Sequence, residues 1–153
     1  MRRPATIFCV LASTSPMACG GLEPEVGALQ AARCFNEDSD PSVDVSFGQD
    51  ILPLLRGETP EVGCSCHMPD EPDPIGFQVS GLDLSSFASL RAGGAVSGAD
   101  IVVPEQPCAS ILWQKTGSSP PFGARMPFDG PPFLTDSARR LLADWIAEGA
   151  QDD

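Results

Sequence analysis

The sequence predicts an all-α domain of three to five short helices joined by long loops. Sixteen prolines and fifteen glycines in 153 residues, with no tyrosine, interrupt the backbone too often for long regular elements. Apolar residues recur at helical spacing in several short runs, most clearly near the C-terminus. A hydrophobic content of 42% is enough for the core of one domain with short appendages.

Arg2 and Arg3, the apolar run ATIFCVLA and the small residues of SPMACGG read as an export signal over residues 1–19. Its end resembles a bacterial lipoprotein processing site, although Pro16 stands where that motif usually has leucine. The resemblance implies cleavage before Cys19 and a lipid anchor on its sulfur; the alternative is ordinary cleavage near Ala18. Both predict export, to the periplasm or to the outer membrane or cell surface. Without residues 1–19 the chain has 7 basic residues against 21 acidic, a net charge of −14. Such a polyanion repels nucleic acid and anionic lipid head groups, so binding to either is excluded as the main function. The charge serves solubility first, and it could also steer a basic partner. No stretch reaches the roughly 20 apolar residues that span a bilayer, so no transmembrane segment is expected.

Residues 20–45 are rich in Gly, Pro and acids and read as an acidic tether, with only VGALQAARCF hinting at a helical turn. The folded unit is expected over residues 46–150. There Phe47, Ile51, Leu54 and Leu55 share one face of a helix capped by Ser46 and ended by Gly57, with Pro53 as its weak point. A second short helix is expected in SGLDLSSFASLRAGG, with Leu84, Phe87, Ala88 and Leu90 on one side and Gly93-Gly94 at its end. A third begins at Pro107, runs through CASILWQKTG and closes at Gly117. The Pro/Gly-rich run SSPPFGARMPFDGPPF is loop. The last helix starts at a Thr135 cap with Asp136 near the positive end of its dipole. It repeats Ala138, Leu141, Leu142, Trp145 and Ile146 on one face and ends at Gly149; residues 151–153 form a tail. The predicted core and pocket comprise Phe47, Ile51, Leu54, Leu84, Phe87, Leu112, Trp113, Leu141, Leu142, Trp145 and Ile146.

Chemistry concentrates in GCSCHMPDEPDP, which holds Cys64, Cys66 and the lone histidine, His67. Covalent haem attachment uses C-x-x-C-H. Here the first cysteine of that motif would fall at Gly63, and Cys64 stands one place closer. A thioether from Cys66 would leave His67 beneath the iron as axial ligand. Methionine is a common second ligand. Met1 and Met17 belong to the signal and Met68 is too close to His67, which leaves Met126 in GARMPFDG; its plain alternative is a hydrophobic plug.

Residues 46–150, about two-thirds of the chain in domain extent, resemble a cytochrome c-like domain of exported bacterial proteins. The resemblance rests on the order ILPLL, C…CH, GLDLSSFASLRAGG, IVVPEQPCASILWQK, RMPFDGPPFLT and LLADWIAEGA. It implies a small cytochrome c-like fold whose C-terminal helix crosses the N-terminal one. It also implies covalent haem c anchored by Cys66 with Cys64, proximal His67 and distal Met126. The function so implied is single-electron transfer with redox protein partners and no substrate chemistry. If Cys9 leaves with the signal, Cys19 is lipidated and Cys64 and Cys66 carry haem, then Cys34 and Cys108 are left to pair, as an oxidising compartment favours.

Two other readings stand beside this one. A haem-free, disulfide-stabilised surface lipoprotein would use the same cysteines for a binding or structural role. A copper site could draw on Cys64, Cys66, His67 and Met126; zinc lacks a second pair of ligands. With one histidine and no serine motif, hydrolytic chemistry does not rise above background.

Overall fold

A computed structural model describes residues 34–153. The signal over residues 1–19, Cys19 and the first part of the tether lie outside the described residues. Every regular element among those described is helical, as the sequence predicts, and none is a strand. No helix among them is long and apolar enough to cross a membrane.

The first helix begins as a wide π turn, Phe47–Ile51, and continues as α1, Leu52–Arg56. Ser46 accepts a hydrogen bond from the Gln49 amide, as its position before the apolar run predicts. Proline has no amide hydrogen and its ring crowds the carbonyl four residues back. Placed at the second position of α1, just after the widened turn, Pro53 is accommodated where an unbroken α-helix would kink. Gly57, at a φ of 73°, ends α1 in the left-handed conformation. A Cβ on Gly63 would collide with the Gly57 backbone, so two bare residues let the chain fold straight back. The Cys64 amide then donates to the Leu55 carbonyl at 2.6 Å. That return pins the Cys/His segment to the end of α1.

Four further helices follow. They are α2, Ile75–Ser80; α3, Phe87–Ala92; α4, Ile111–Thr116; and α5, Asp136–Ala147. The sequence does not announce α2. In α3, Ser86 and Ser89 cap one another reciprocally, Phe87 is half-buried and Leu90 is buried, but Ala88 faces outward rather than joining the expected face. The run from Pro107 splits into a 3-10 turn, Pro107–Ala109, and α4, because Ser110 is extended between them. Its hydroxyl is held by Val103 and Gln106, a local bond that competes with helix continuation. The Thr135 hydroxyl accepts from the Ala138 amide and starts α5 as expected.

One main core joins Phe47, Ile51, Leu55, Leu84, Leu90 and Leu142 to Trp145 and Ile146 on α5. Phe47, Phe87 and Trp145 meet as a ring cluster with centroids 5.4 to 6.4 Å apart. Leu54 belongs instead to a small second cluster with Leu134 and Ala138. Trp113 and Leu141, expected inside, are half-buried at the edge.

Both expected boundaries move outward. The acidic segment after Cys34 is packed against the domain: Cys34 is bonded to Cys108, Val45 is buried, and the Asp40 amide donates to Asp144 at 2.7 Å. The C-terminal residues are also tied down. Asp153 accepts from the Phe47 amide at 2.9 Å and the Gly48 amide at 3.0 Å, satisfying donors at the start of the first helix.

Candidate functional site

Cys64 leads into a 3-10 turn, Ser65–His67, whose last residue has its backbone carbonyl bonded by the Leu84 amide at 3.1 Å. Met68, set aside as a ligand for its closeness to His67, turns into the core. His67 is buried against α2, which presents Gly76 and Ser80, one turn apart, to the imidazole ring. A Cβ on Gly76 would sit 2.9 Å from the His67 Nε2 and Cδ2 atoms and from the Cys66 carbonyl. Alanine normally favours a helix over glycine by about 1 kcal/mol. Here the contact reverses the sign. Gly76→Ala is expected to destabilise the domain by about 1–3 kcal/mol, the usual range for overpacking, and to push the ring from its place. A thermal unfolding midpoint equal to or above that of the parent would refute this close approach.

The hydroxyl of Ser80 assigns the imidazole proton. Its single hydrogen goes to the Gly76 carbonyl at 2.6 Å, and its oxygen accepts from the Leu82 amide at 3.1 Å. At 3.3 Å from His67 Nδ1, that oxygen is therefore an acceptor, and Nδ1 carries the hydrogen. Nε2 is left with its lone pair, the state a metal ligand requires. Burial lowers the imidazole pKa and the charge of Lys115 adds to the fall, while the Leu82 carbonyl opposes it. The ring is thus held neutral.

Met126 arrives from the opposite side of the sequence. Its amide donates to the Lys115 carbonyl at 2.7 Å. On either side, Lys115 Nζ donates to the Phe122 and Ala124 carbonyls and Arg125 Nε to the Thr116 carbonyl. The Pro/Gly-rich loop is fastened to the end of α4 through these bonds, and the methionine is carried with it.

His67, Met126 and Cys64 line one cleft. Leu82, Leu84, Ile101, Ile111 and Leu112 form apolar wall, Phe122 stands at its edge, and Lys115 and Thr116 are among its few polar groups. That lining, largely aliphatic with a few polar groups, is of the kind that receives an apolar small molecule or cofactor. The two cysteines divide. Cys64 is buried and faces the cleft; burial first, then the nearby Cys66 and Asp129 charges, push its thiol up to about 12. Cys66 is half-buried and is not part of the cleft wall. Its pKa is also raised, by burial and by Asp129 and Asp73, against backbone hydrogen bonds that lower it. Both thiols are free, and Cys34 is paired with Cys108.

Sequence reasoning did not find Ser80 or Gly76. A serine ahead of a helix-ending glycine carries no signal of its own, because its role exists only once α2 lies on the imidazole. Compared with models of known protein families, with curated proteins and with solved structures, the chain matches none.

Proposed function

We propose that this chain is an exported monohaem c-type cytochrome, lipid-anchored through Cys19 in the periplasm or at the outer membrane or cell surface, that carries single electrons between redox protein partners. The observation that carries this reading is the convergence of three donors, far apart in sequence, on one apolar cleft. They are the His67 imidazole, the Met126 thioether and the Cys64 thiol. That donor set fits haem c in a cytochrome c-like fold: His67 and Met126 would ligate the iron, and Cys66 with Cys64 would carry the covalent attachment. Haem bound there supplies the one-electron couple. The chain's own residues do the rest. Ser80 fixes the ring and its proton, the Lys115 and Arg125 bonds hold the Met126 loop, and the aliphatic walls exclude water, which sets the potential.

The test is expression with a haem-ligating apparatus. Denatured protein should retain haem by mass spectrometry and give a pyridine haemochrome. Met126→Ala should abolish the low-spin His/Met absorption while leaving the covalent link intact; an unchanged spectrum would remove Met126 from the ligand set. Colourless protein with its Cys34–Cys108 bridge intact would leave a haem-free, disulfide-stabilised surface module.

A further inference from the structure

The acidic net charge conceals a patch of the opposite sign. Among the described residues one ion pair occurs, Arg56 with Glu58 at 3.7 Å. Lys115, Arg125, Arg139 and Arg140 therefore have no described carboxylate at ion-pair distance, in a chain with 21 acidic residues. Two of these cations are fixed on a single residue. Arg125 Nε donates to the Thr116 carbonyl at 2.8 Å, and Arg139 Nε donates to the Thr116 hydroxyl at 3.1 Å. That hydroxyl gives its own hydrogen to the Trp113 carbonyl at 2.7 Å. Aromatic faces hold the two planes: Arg125 lies 4.0 Å from the Phe133 centroid and Arg139 lies 4.5 Å from that of Trp113.

Like charges held this close repel. After burial, the Arg125 charge is the next cause lowering the Arg139 pKa, with Asp136 opposing it from beyond ion-pair distance. Each guanidinium bonds Thr116 through Nε, and neither donates from its terminal nitrogens to a described residue. Gly117 lets Arg139 lie close to the backbone, since a Cβ there would meet Arg139 Nη2 at 3.2 Å. Rigid, unneutralised forks with free ends are the geometry that receives two adjacent oxygens.

We propose that Arg125 and Arg139 form an oxyanion site that takes a carboxylate or phosphate group through their terminal nitrogens. Thr116 lines the cleft, whereas Arg139 lines a separate hollow with Trp113, Asp38 and Asp136. The group could come from a free anion or from the carboxylates of a cofactor seated in the cleft. The site itself does not depend on the haem reading, because it is tested on haem-free protein.

The experiment is a titration of the isotope-labelled, haem-free chain with inorganic phosphate, followed by NMR, against chloride at matched ionic strength. Saturable shifts are expected at the Thr116 and Gly117 amides and at the Nε–H signals of Arg125 and Arg139. Arg125→Gln with Arg139→Gln should weaken phosphate binding by about tenfold or more, as loss of a charge-assisted hydrogen-bond pair implies. If that pair does not fold, Arg125→Gln alone gives the same comparison. Shifts that chloride reproduces, or that persist in the glutamine variants, overturn the site. Repeating the titration on haem-loaded protein separates the sources. A retained response identifies a free anion as the ligand, and a response confined to haem-free protein assigns the place to the cofactor's carboxylates.

Discussion

Trp145→Ala is expected to cost about 3–5 kcal/mol of folding free energy, the range for removing a large buried aromatic side chain. For a domain of this size that lowers the unfolding midpoint by about 10–20 °C. Trp145 has no exposed surface, and its ring joins Phe47 on the first helix to Phe87 on α3. Alanine removes the contact shared by three elements and leaves a cavity the backbone cannot close. It also deprives the Gln151 carbonyl of the indole N–H that donates to it at 3.1 Å. Trp145→Phe separates the two contributions, retaining much of the ring packing and losing the hydrogen bond, for about 1–2 kcal/mol. Urea unfolding followed by circular dichroism measures both. A loss below about 1 kcal/mol for the alanine variant, within the range of an ordinary surface change, would show that the ring cluster does not carry the core.

Reduction of the Cys34–Cys108 bridge is expected to cost about 4–5 kcal/mol. The bond joins residues 74 positions apart, and the chain-entropy model gives that figure for a loop of this length. Native contacts beside it depend on the same closure: Asn36 Oδ1 accepts from the Cys108 amide at 2.9 Å, and Glu148 accepts from the Val45 amide. Reductant should lower the unfolding midpoint of the parent. The paired Cys34→Ser and Cys108→Ser variant should start at the lower value and stay there, since Cys64 and Cys66 are unpaired. A parent whose midpoint ignores reductant would mean that the bridge contributes nothing to stability.

Periodicity made α5 legible because α5 packs by apolar side chains at regular spacing, from Ala138 to Ile146. It failed at α2 for the converse reason. Ile75 and Val79, its aliphatic residues, point outward, and its contacts with the imidazole are made by Gly76 and Ser80. A helix that docks through a hydrogen atom and a hydroxyl leaves no hydrophobic signature. The segment after Cys34 hides its packing similarly. Its composition is that of a tether, but Val45, the covalent bond and the Asp144 and Glu148 carboxylates hold it in place, and none of these is visible in local composition. At the site, residue type pointed to Cys64, Cys66, His67 and Met126, since few side chains can serve a metal, and of these Cys66 does not line the cleft. Which cysteine faces the cleft depends on how the chain returns through Gly57 and Gly63, a tertiary fact beyond any spacing rule.

The sulfur bond between positions 34 and 108 makes a closed circuit of polypeptide, and the cleft straddles its edge. His67 and Cys64 belong to the circuit; Met126 hangs from the open strand beyond it. A protease nick between 35 and 107 leaves both fragments chemically joined, whereas one between 118 and 125 severs Met126 from His67 altogether. The two walls of the site thus differ in how they survive damage, with the imidazole side the protected one.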